Sequence, residues 1–303
     1  MAKRIMKKLV CGVLALASLS ACVTTATACE TDHPEVQMVL TFNGKDYKLN
    51  YKLYKKITPK TAEHFLTLVN NGYYNGMCVH NFDMDDEKMY VGGYKVAESA
   101  SDDDGLSEVD YYAAVEGYEN FPINVWMNQK EVDGKEVGVD PTYTLYGEFS
   151  KNNFKVTGGN GALNQTFGSL TMYYYDVNTS EEVCTKFNDP KRADELAWRD
   201  YQYNSATSLF YISLSNTLPE LSAYCTFAKI KSDSKDTLED LQDAINDYIE
   251  DVYGAEEDPD AAFVNEVIVE IVDGNKKNVQ VPDQTFYVPN ESIVIKQIKQ
   301  TKF

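Results

Sequence analysis

Along residues 36–42 apolar side chains take every second position: Val36, Met38, Leu40 and Phe42. A period of two is that of a strand with one buried face. Asn43-Gly44 follows, a strong signal for a two-residue hairpin, and Tyr47, Leu49, Tyr51 and Leu53 then resume the alternation. After Thr58 the period changes. Ala62, Phe65, Leu66 and Val69 recur at helical spacing, with Thr58 expected as the N-cap, Pro59 in the first turn and Gly72 as the stop. A second helix is expected over residues 237–253, capped by Thr237 or Asp236 and followed by Gly254. Leu238, Leu241, Ile245, Tyr248, Ile249 and Val252 form its apolar side. Glu239, Asp240, Asp243, Asp247, Glu250 and Asp251 form the other, a pattern that usually marks a solvated face. Residues 264–271 alternate again before an Asp273-Gly274 turn, and a further helix is expected after Asp189-Pro190. The pattern predicts a mainly β domain with two principal helices.

The N-terminus follows a different rule. Lys3, Arg4, Lys7 and Lys8 precede an apolar run over residues 9–19, too short to span a bilayer. The run ends in Leu19-Ser20-Ala21-Cys22, which resembles a bacterial lipobox. Residues 1–21 are therefore expected to be a signal peptide, Cys22 the lipidated residue, and residues 22–35 a tether to the outside of a membrane. An ordinary cleaved secretory signal is the alternative. About 270 residues remain, enough for one sizeable core.

The net charge of −19 argues against nucleic-acid binding, which needs a basic face. Of six cysteines, Cys11 and Cys22 belong to the leader, Cys29 to the tether, and Cys78, Cys184 and Cys225 to the domain. Their spacing fits buried or free thiols better than a disulfide framework, and no His/Cys cluster suggests a metal. No cofactor is expected.

Several segments carry a further signal. Residues 204–212 read Asn-Ser-Ala-Thr-Ser-Leu-Phe-Tyr-Ile. Pro59, Thr61, Phe65, Gly72, Tyr73, Tyr74 and Gly76 keep the frame of a Pro-x-Thr-x-x-Asn-Phe…Gly-Tyr-Tyr-x-Gly helix. Residues 143–149, 168–172, 224–230 and 292–298 add four more segments in the same order. Together they resemble the cyclophilins, the peptidyl-prolyl cis-trans isomerases, over residues 36–303. The resemblance implies a closed eight-stranded antiparallel barrel capped by two helices. Segments near 95–141, 176–203 and 255–289 fall outside it and read as insertions.

The resemblance also locates a site. Cyclophilins hold proline in an apolar pocket, and an arginine and a glutamine act on the amide. Here Asn81, after His80, stands at the arginine position, Val91 replaces the glutamine before Gly92-Gly93, and Leu209 replaces the second glutamine. The pocket phenylalanine falls near Lys88. Asparagine carries no charge and reaches less far than arginine, so it is no substitute. The implied peptide pocket comprises His80, Met89, Met172, Tyr173, Tyr174, Phe210, Tyr211, Leu221 and Tyr224. Arg192 and Arg199, expected on a helix before Asn204, are the only arginines outside the leader. Either is a candidate to supply the missing guanidinium or simply a surface residue.

Two readings follow. In the first, an extracytoplasmic lipid-anchored monomer binds, or slowly isomerises, proline-containing segments of exported proteins. In the second, the same fold is a non-catalytic surface interaction or scaffold module.

Overall fold

The computed structural model describes residues 33–97, 105–118, 131–132, 135–136, 145, 147–149, 163–173, 182–186, 196–200, 206–216, 224–254, 259–269 and 284–303. Cys22, the leader, the tether, Tyr174, Arg192, Leu221, Asp189-Pro190 and the Asp273-Gly274 turn lie outside them.

The opening alternation becomes a hairpin of β1 (Glu35–Phe42) and β2 (Lys45–Leu53). Phe42 pairs with Lys45 across Asn43-Gly44. Both turn residues have positive φ, 44° and 75°, as a tight hairpin turn requires. Every alternate apolar residue named above in these strands is buried. The remaining strands are β3 (Asn81–Asp83), β4 (Lys88–Val91), β5 (Tyr94–Val96), β6 (Leu106–Glu108), β7 (Glu131–Val132) and β8 (Lys135–Glu136). They continue with β9 (Leu170–Met172), β10 (Glu182–Lys186), β11 (Leu196–Asp200), β12 (Phe210–Ser213) and β13 (Cys225–Ile230). β14 (Val264–Val269), β15 (Gln284–Pro289) and β16 (Val294–Lys302) complete the set.

Eight of these form one antiparallel sheet in the order β16-β1-β2-β13-β9-β12-β4-β3. The expected barrel is not closed by a ladder, because β3 and β16 at the two edges do not pair. The chain just before β3 instead meets β16. Gly76 and Val79 N–H donate to the carbonyls of Ile295 and Ile293 at 2.7 and 2.8 Å, and Ile295 N–H donates to Met77 at 2.7 Å. The sheet is thus curled, with its edges tied by a short bridge.

Helix α1 (Pro59–Asn70) packs Phe65 against Phe210 and Phe227, with ring centroids 5.5 and 4.9 Å apart. Its N-cap differs from expectation. Thr58 makes no side-chain cap; its hydroxyl instead donates to the Tyr54 carbonyl at 3.4 Å. The free amides of the first turn go to a distant carboxylate. Lys60 and Thr61 N–H donate to Glu148 at 3.0 and 2.8 Å, and the Thr61 hydroxyl adds a third bond at 2.8 Å. A buried acceptor at a helix N-terminus satisfies both orphan donors and dipole, and no local pattern reveals one 87 residues away. A short helix α2 (Tyr111–Glu116) follows β6 and is capped by Asp110, which accepts from Ala113 N–H.

Helix α3 (Lys235–Tyr253) starts two residues before the predicted 237, after a 3-10 turn over Ser232–Ser234, and Ser234 replaces Thr237 or Asp236 as N-cap residue. Leu238, Leu241, Ile245 and Ile249 are buried, whereas Val252 is 55% exposed. α4 (Pro259–Phe263) follows and places Phe263 against Tyr248.

The inserted segments contain hairpins. β10 pairs with β11, so residues 196–200, expected to be helical, are a strand, and Arg199 stands opposite Val183. Trp198 opposite Cys184 and Leu196 beyond it show why: bulky apolar residues at alternate positions suit a two-stranded ribbon. β14 pairs with β15 along its length. Cys78 and Cys225 are buried thiols, and the Cys225 Sγ lies 3.4 Å from the Thr61 hydroxyl.

Candidate functional site

Strand register decides which residues face the groove. Asn81 pairs with Tyr90, Tyr90 with Tyr211, and Tyr211 with Thr171, which pairs in turn with Thr226. These five share a row on the outer face of the sheet. A parallel row is Asp83, Lys88 and Ser213. The alternate residues, Phe82, Met89, Val91, Phe210 and Ile212, belong to the main apolar core.

Met89, Met172 and Phe210 therefore do not stand in the groove as the resemblance implied. All three are fully buried in that core, and so is Val91, the expected glutamine replacement. Counting back from Gly92-Gly93 aligned Met89 with a pocket residue, but a slip of one position along a strand moves a side chain to the opposite face. Tyr90 takes the outer place instead, and sequence reasoning missed it.

The loop before β12 is held by three groups from α1 and the turn behind it. His64 Nε2 lies 2.6 Å from the Thr207 carbonyl, so this nitrogen carries the proton. Tyr74 OH donates to the Ser208 carbonyl at 3.1 Å. The Ser208 hydroxyl donates to the Gly92 carbonyl at 2.6 Å, leaving Tyr73 OH to donate to it at 3.0 Å. Gly92, at φ 110°, is required here: a Cβ would stand 2.4 Å from the Ser208 carbonyl oxygen. Leu209 then lies over Gly93, where a Cβ would meet its Cδ2 at 2.7 Å.

Tyr211 has the aromatic character expected of the ring pocket but is only 1% exposed. Tyr90 and Tyr224 lie 5.3 and 6.4 Å from its ring, and Lys88 Nζ lies 5.3 Å above it. Its hydroxyl donates to Gln165 Oε1 at 3.1 Å, and Gln165 donates to Ser213 Oγ at 3.1 Å. Burial, reinforced by the neighbouring phenols, holds Tyr211 well above the ordinary tyrosine pKa. Tyr173 stands edge-on to Tyr90 at 5.6 Å.

Asn81 has a partner of its own. Its Oδ1 accepts the Tyr287 N–H of β15 at 2.9 Å. Beside it, the His80 ring lies 4.9 Å from Tyr94 and 5.0 Å from Phe286. Burial pushes the His80 pKa down to about 3, against a smaller upward pull from the Cys78 carbonyl, so the imidazole is neutral. The inserted β14–β15 hairpin thus forms a wall at one end of the groove. Between wall and groove lies a cavity of about 260 Å³ lined by His80, Asn81, Tyr90, Tyr173, Leu209, Thr285 and Phe286. It falls just under the ~300 Å³ lower end of ordinary ligand sites, so it suits a peptide side chain or ring. Thr285 and Phe286 come from an insertion, which no family pattern could place in a site.

A family model described as cyclophilin type peptidyl-prolyl cis-trans isomerase/CLD matches residues 38–269. A putative peptidyl-prolyl cis-trans isomerase of Staphylococcus aureus (strain USA300) is 39% identical over 51 residues, 17% of this chain. The match spans only 25% of that relative's length. A cyclophilin type peptidyl-prolyl cis-trans isomerase of Cryptosporidium parvum overlaps 89% of this chain and 99% of its own, at 14% identity and a TM-score of 0.37. The Mimivirus cyclophilin overlaps 90% and 91%, at 14% identity and a TM-score of 0.40. Since the family match runs from within β1 to the end of β14, this chain belongs to the cyclophilin-type peptidyl-prolyl cis-trans isomerases.

Proposed function

We propose that this cyclophilin is a lipid-anchored extracytoplasmic protein that binds proline-containing segments of exported proteins and isomerises them slowly or not at all. The carrying observation is the Asn81–Tyr287 bond. The side chain at the arginine position is neutral and holds an inserted strand. Rotation about an X-Pro bond faces a barrier of about 20 kcal/mol that arises from amide resonance. Lowering it needs a donor aimed at the twisted amide. Leu209 offers none. Lys88 is the cation of the outer rows described above, and its Nζ is bound to Asp86 Oδ2 at 2.6 Å.

Loss of one preorganised donor costs roughly a hundred- to thousandfold in rate. A protease-coupled assay on a proline tetrapeptide should therefore give a kcat/KM at least about a hundredfold below an ordinary cyclophilin. Activity at the usual family level would overturn the slow-isomerase reading. Asn81→Arg alone should restore little, because groups that act together are not restored singly.

The burial of Tyr211 favours the second reading, a module with no turnover at all, since the ring that would receive proline is covered. In either case we read the fold as the family barrel with α1 and α3 over its ends. Segments near 95–141, 176–203 and 255–289 are its insertions, and the protein works as a monomer. The anchor follows from the lipobox at Cys22. Metabolic lipid labelling should mark the wild type and fail with Cys22→Ser; an unlabelled wild type would refute it.

A further inference from the structure

We infer that the outer face of β16, β1, β2 and β13 docks on an anionic bilayer and sets how the anchored domain sits against its membrane. This rests on the lipid-anchor reading above and adds the orientation. Strand register builds the face. In one row Lys302 stands opposite Glu35, Glu35 opposite Lys52, and Lys52 opposite Lys229. In the next, Lys299 stands opposite Gln37 and Gln37 opposite Asn50, whose carbonyl accepts Lys231 N–H at 2.8 Å. In a third, Gln297 stands opposite Val39 and Val39 opposite Lys48. The alternate residues of β1 and β2 form the core, so these rows point away from it. Two side-chain contacts lie along the same face: Gln37 Nε2 donates to Asn50 Oδ1 at 3.1 Å, and Lys231 Nζ lies 2.7 Å from Glu35 Oε2.

The three rows hold six lysines and one carboxylate. Glu35 is shared between Lys231 and Lys302. Lys48, Lys52, Lys229 and Lys299 make no salt bridge among the described residues. Lys52 lies 5.2 Å over the Tyr54 ring, and Lys229 donates to neutral acceptors, the Asn164 carbonyl and the Thr166 hydroxyl. Asp46, one row further on, is met by Lys296 at 2.6 Å, and Asp233 is the carboxylate that follows Lys231. The face thus keeps a positive surplus in a chain of net charge −19 whose acids crowd the exposed side of α3 and the β3–β4 loop. Anionic headgroups attract such a surplus within a Debye length and repel the acidic surfaces. The point of attachment selects the bilayer as the occupant. Glu35, in the first row, lies 13 residues after Cys22, a stretch that reaches at most about 45 Å. An anchor at Cys22 holds this face near the headgroups at high effective concentration, where the weak attractions of single lysines act together.

The test takes the full chain, expressed in bacteria and purified, and mixes it with vesicles of phosphatidylcholine alone or with about 30% phosphatidylglycerol. Flotation reads retention, and mass spectrometry after brief amine acetylation reads which lysines are shielded. The anchor should retain the protein on both vesicles. On the anionic ones Lys48, Lys52, Lys299 and Lys302 should be acetylated about threefold more slowly than on the neutral ones, as a face docked most of the time requires. Lys95, exposed in β5, should react equally on both. Shielding should vanish in about 0.5 M salt. It should also vanish at Lys302 when Lys48→Gln, Lys52→Gln and Lys299→Gln are combined. Retention on both vesicles with equal acetylation would overturn this inference and leave the anchor standing. Retention on anionic vesicles alone, lost in the triple variant, would support the basic face and overturn the anchor. Retention on neither would overturn both.

Discussion

The two faces of β4 and β12 differ in what they retain of the family. On the inner face, Met89, Val91, Phe210 and Ile212 are apolar and fully buried, and Phe210 packs against Phe65 and Tyr74 at 5.5 and 5.3 Å. On the outer face, Tyr90, Tyr211 and Lys88 form a covered aromatic patch, and Asn81 of β3 ties down an inserted strand. Core positions are constrained by close packing, so changes there are felt throughout the fold. Groove positions answer only to a ligand and to whatever covers them. Here the core kept its family character while the groove acquired tyrosines, acidic neighbours and a wall.

The largest test of this contrast is stability. Phe210→Ala should cost about 3–5 kcal/mol by urea unfolding, as large-to-small changes in packed cores do. Tyr90→Ala, one residue pair away on the outer face, should cost about 1 kcal/mol. Equal costs would mean that the outer face is as much part of the core as the inner.

The next test is pH. His64 and His80 are buried, with pKa values pushed down to about 4 and about 3 from 6.5. The unfolded chain takes up their protons below pH 6.5 and the folded chain does not, so their contribution is full above 6.5 and is lost as pH falls towards 4. Glu148 works the other way. Burial raises its pKa to about 7 despite three hydrogen bonds that favour the anion. Its contribution is full below about 4.5 and is lost as pH rises through 7. Between pH 4.5 and 6.5 the histidines outnumber it, so stability should fall on acidification. Each group contributes up to about 1.4 kcal/mol per pH unit. Glu148→Gln should steepen that fall and His80→Asn should flatten it. Unchanged slopes in both variants would show that these groups ionise freely in the fold.

The smallest effect belongs to Asn81. Asn81→Ala removes the acceptor for Tyr287 N–H, and a hydrogen bond of about 1 kcal/mol corresponds to roughly fivefold faster amide exchange at Tyr287. No change there would detach the hairpin from the arginine position.

Patterns of period two and of helical spacing, together with Asn43-Gly44 and Pro59, determined the opening hairpin, both main helices and the buried sets of β1 and β2. These are local rules, written in neighbouring residues. The ordered motifs likewise determined the family. Three features were decided only in the tertiary structure. Glu148 replaced Thr58 as the acceptor at the start of α1, because a cap can come from anywhere that reaches the amides. Tyr90 rather than Met89 entered the groove, because pairing register and not motif spacing sets which way a strand residue points. Phe286 and Thr285 became part of the cavity wall, because an insertion's docking depends on surfaces far away in the chain. Local periodicity carries information over a few residues, whereas a site is assembled from contacts that no short window contains.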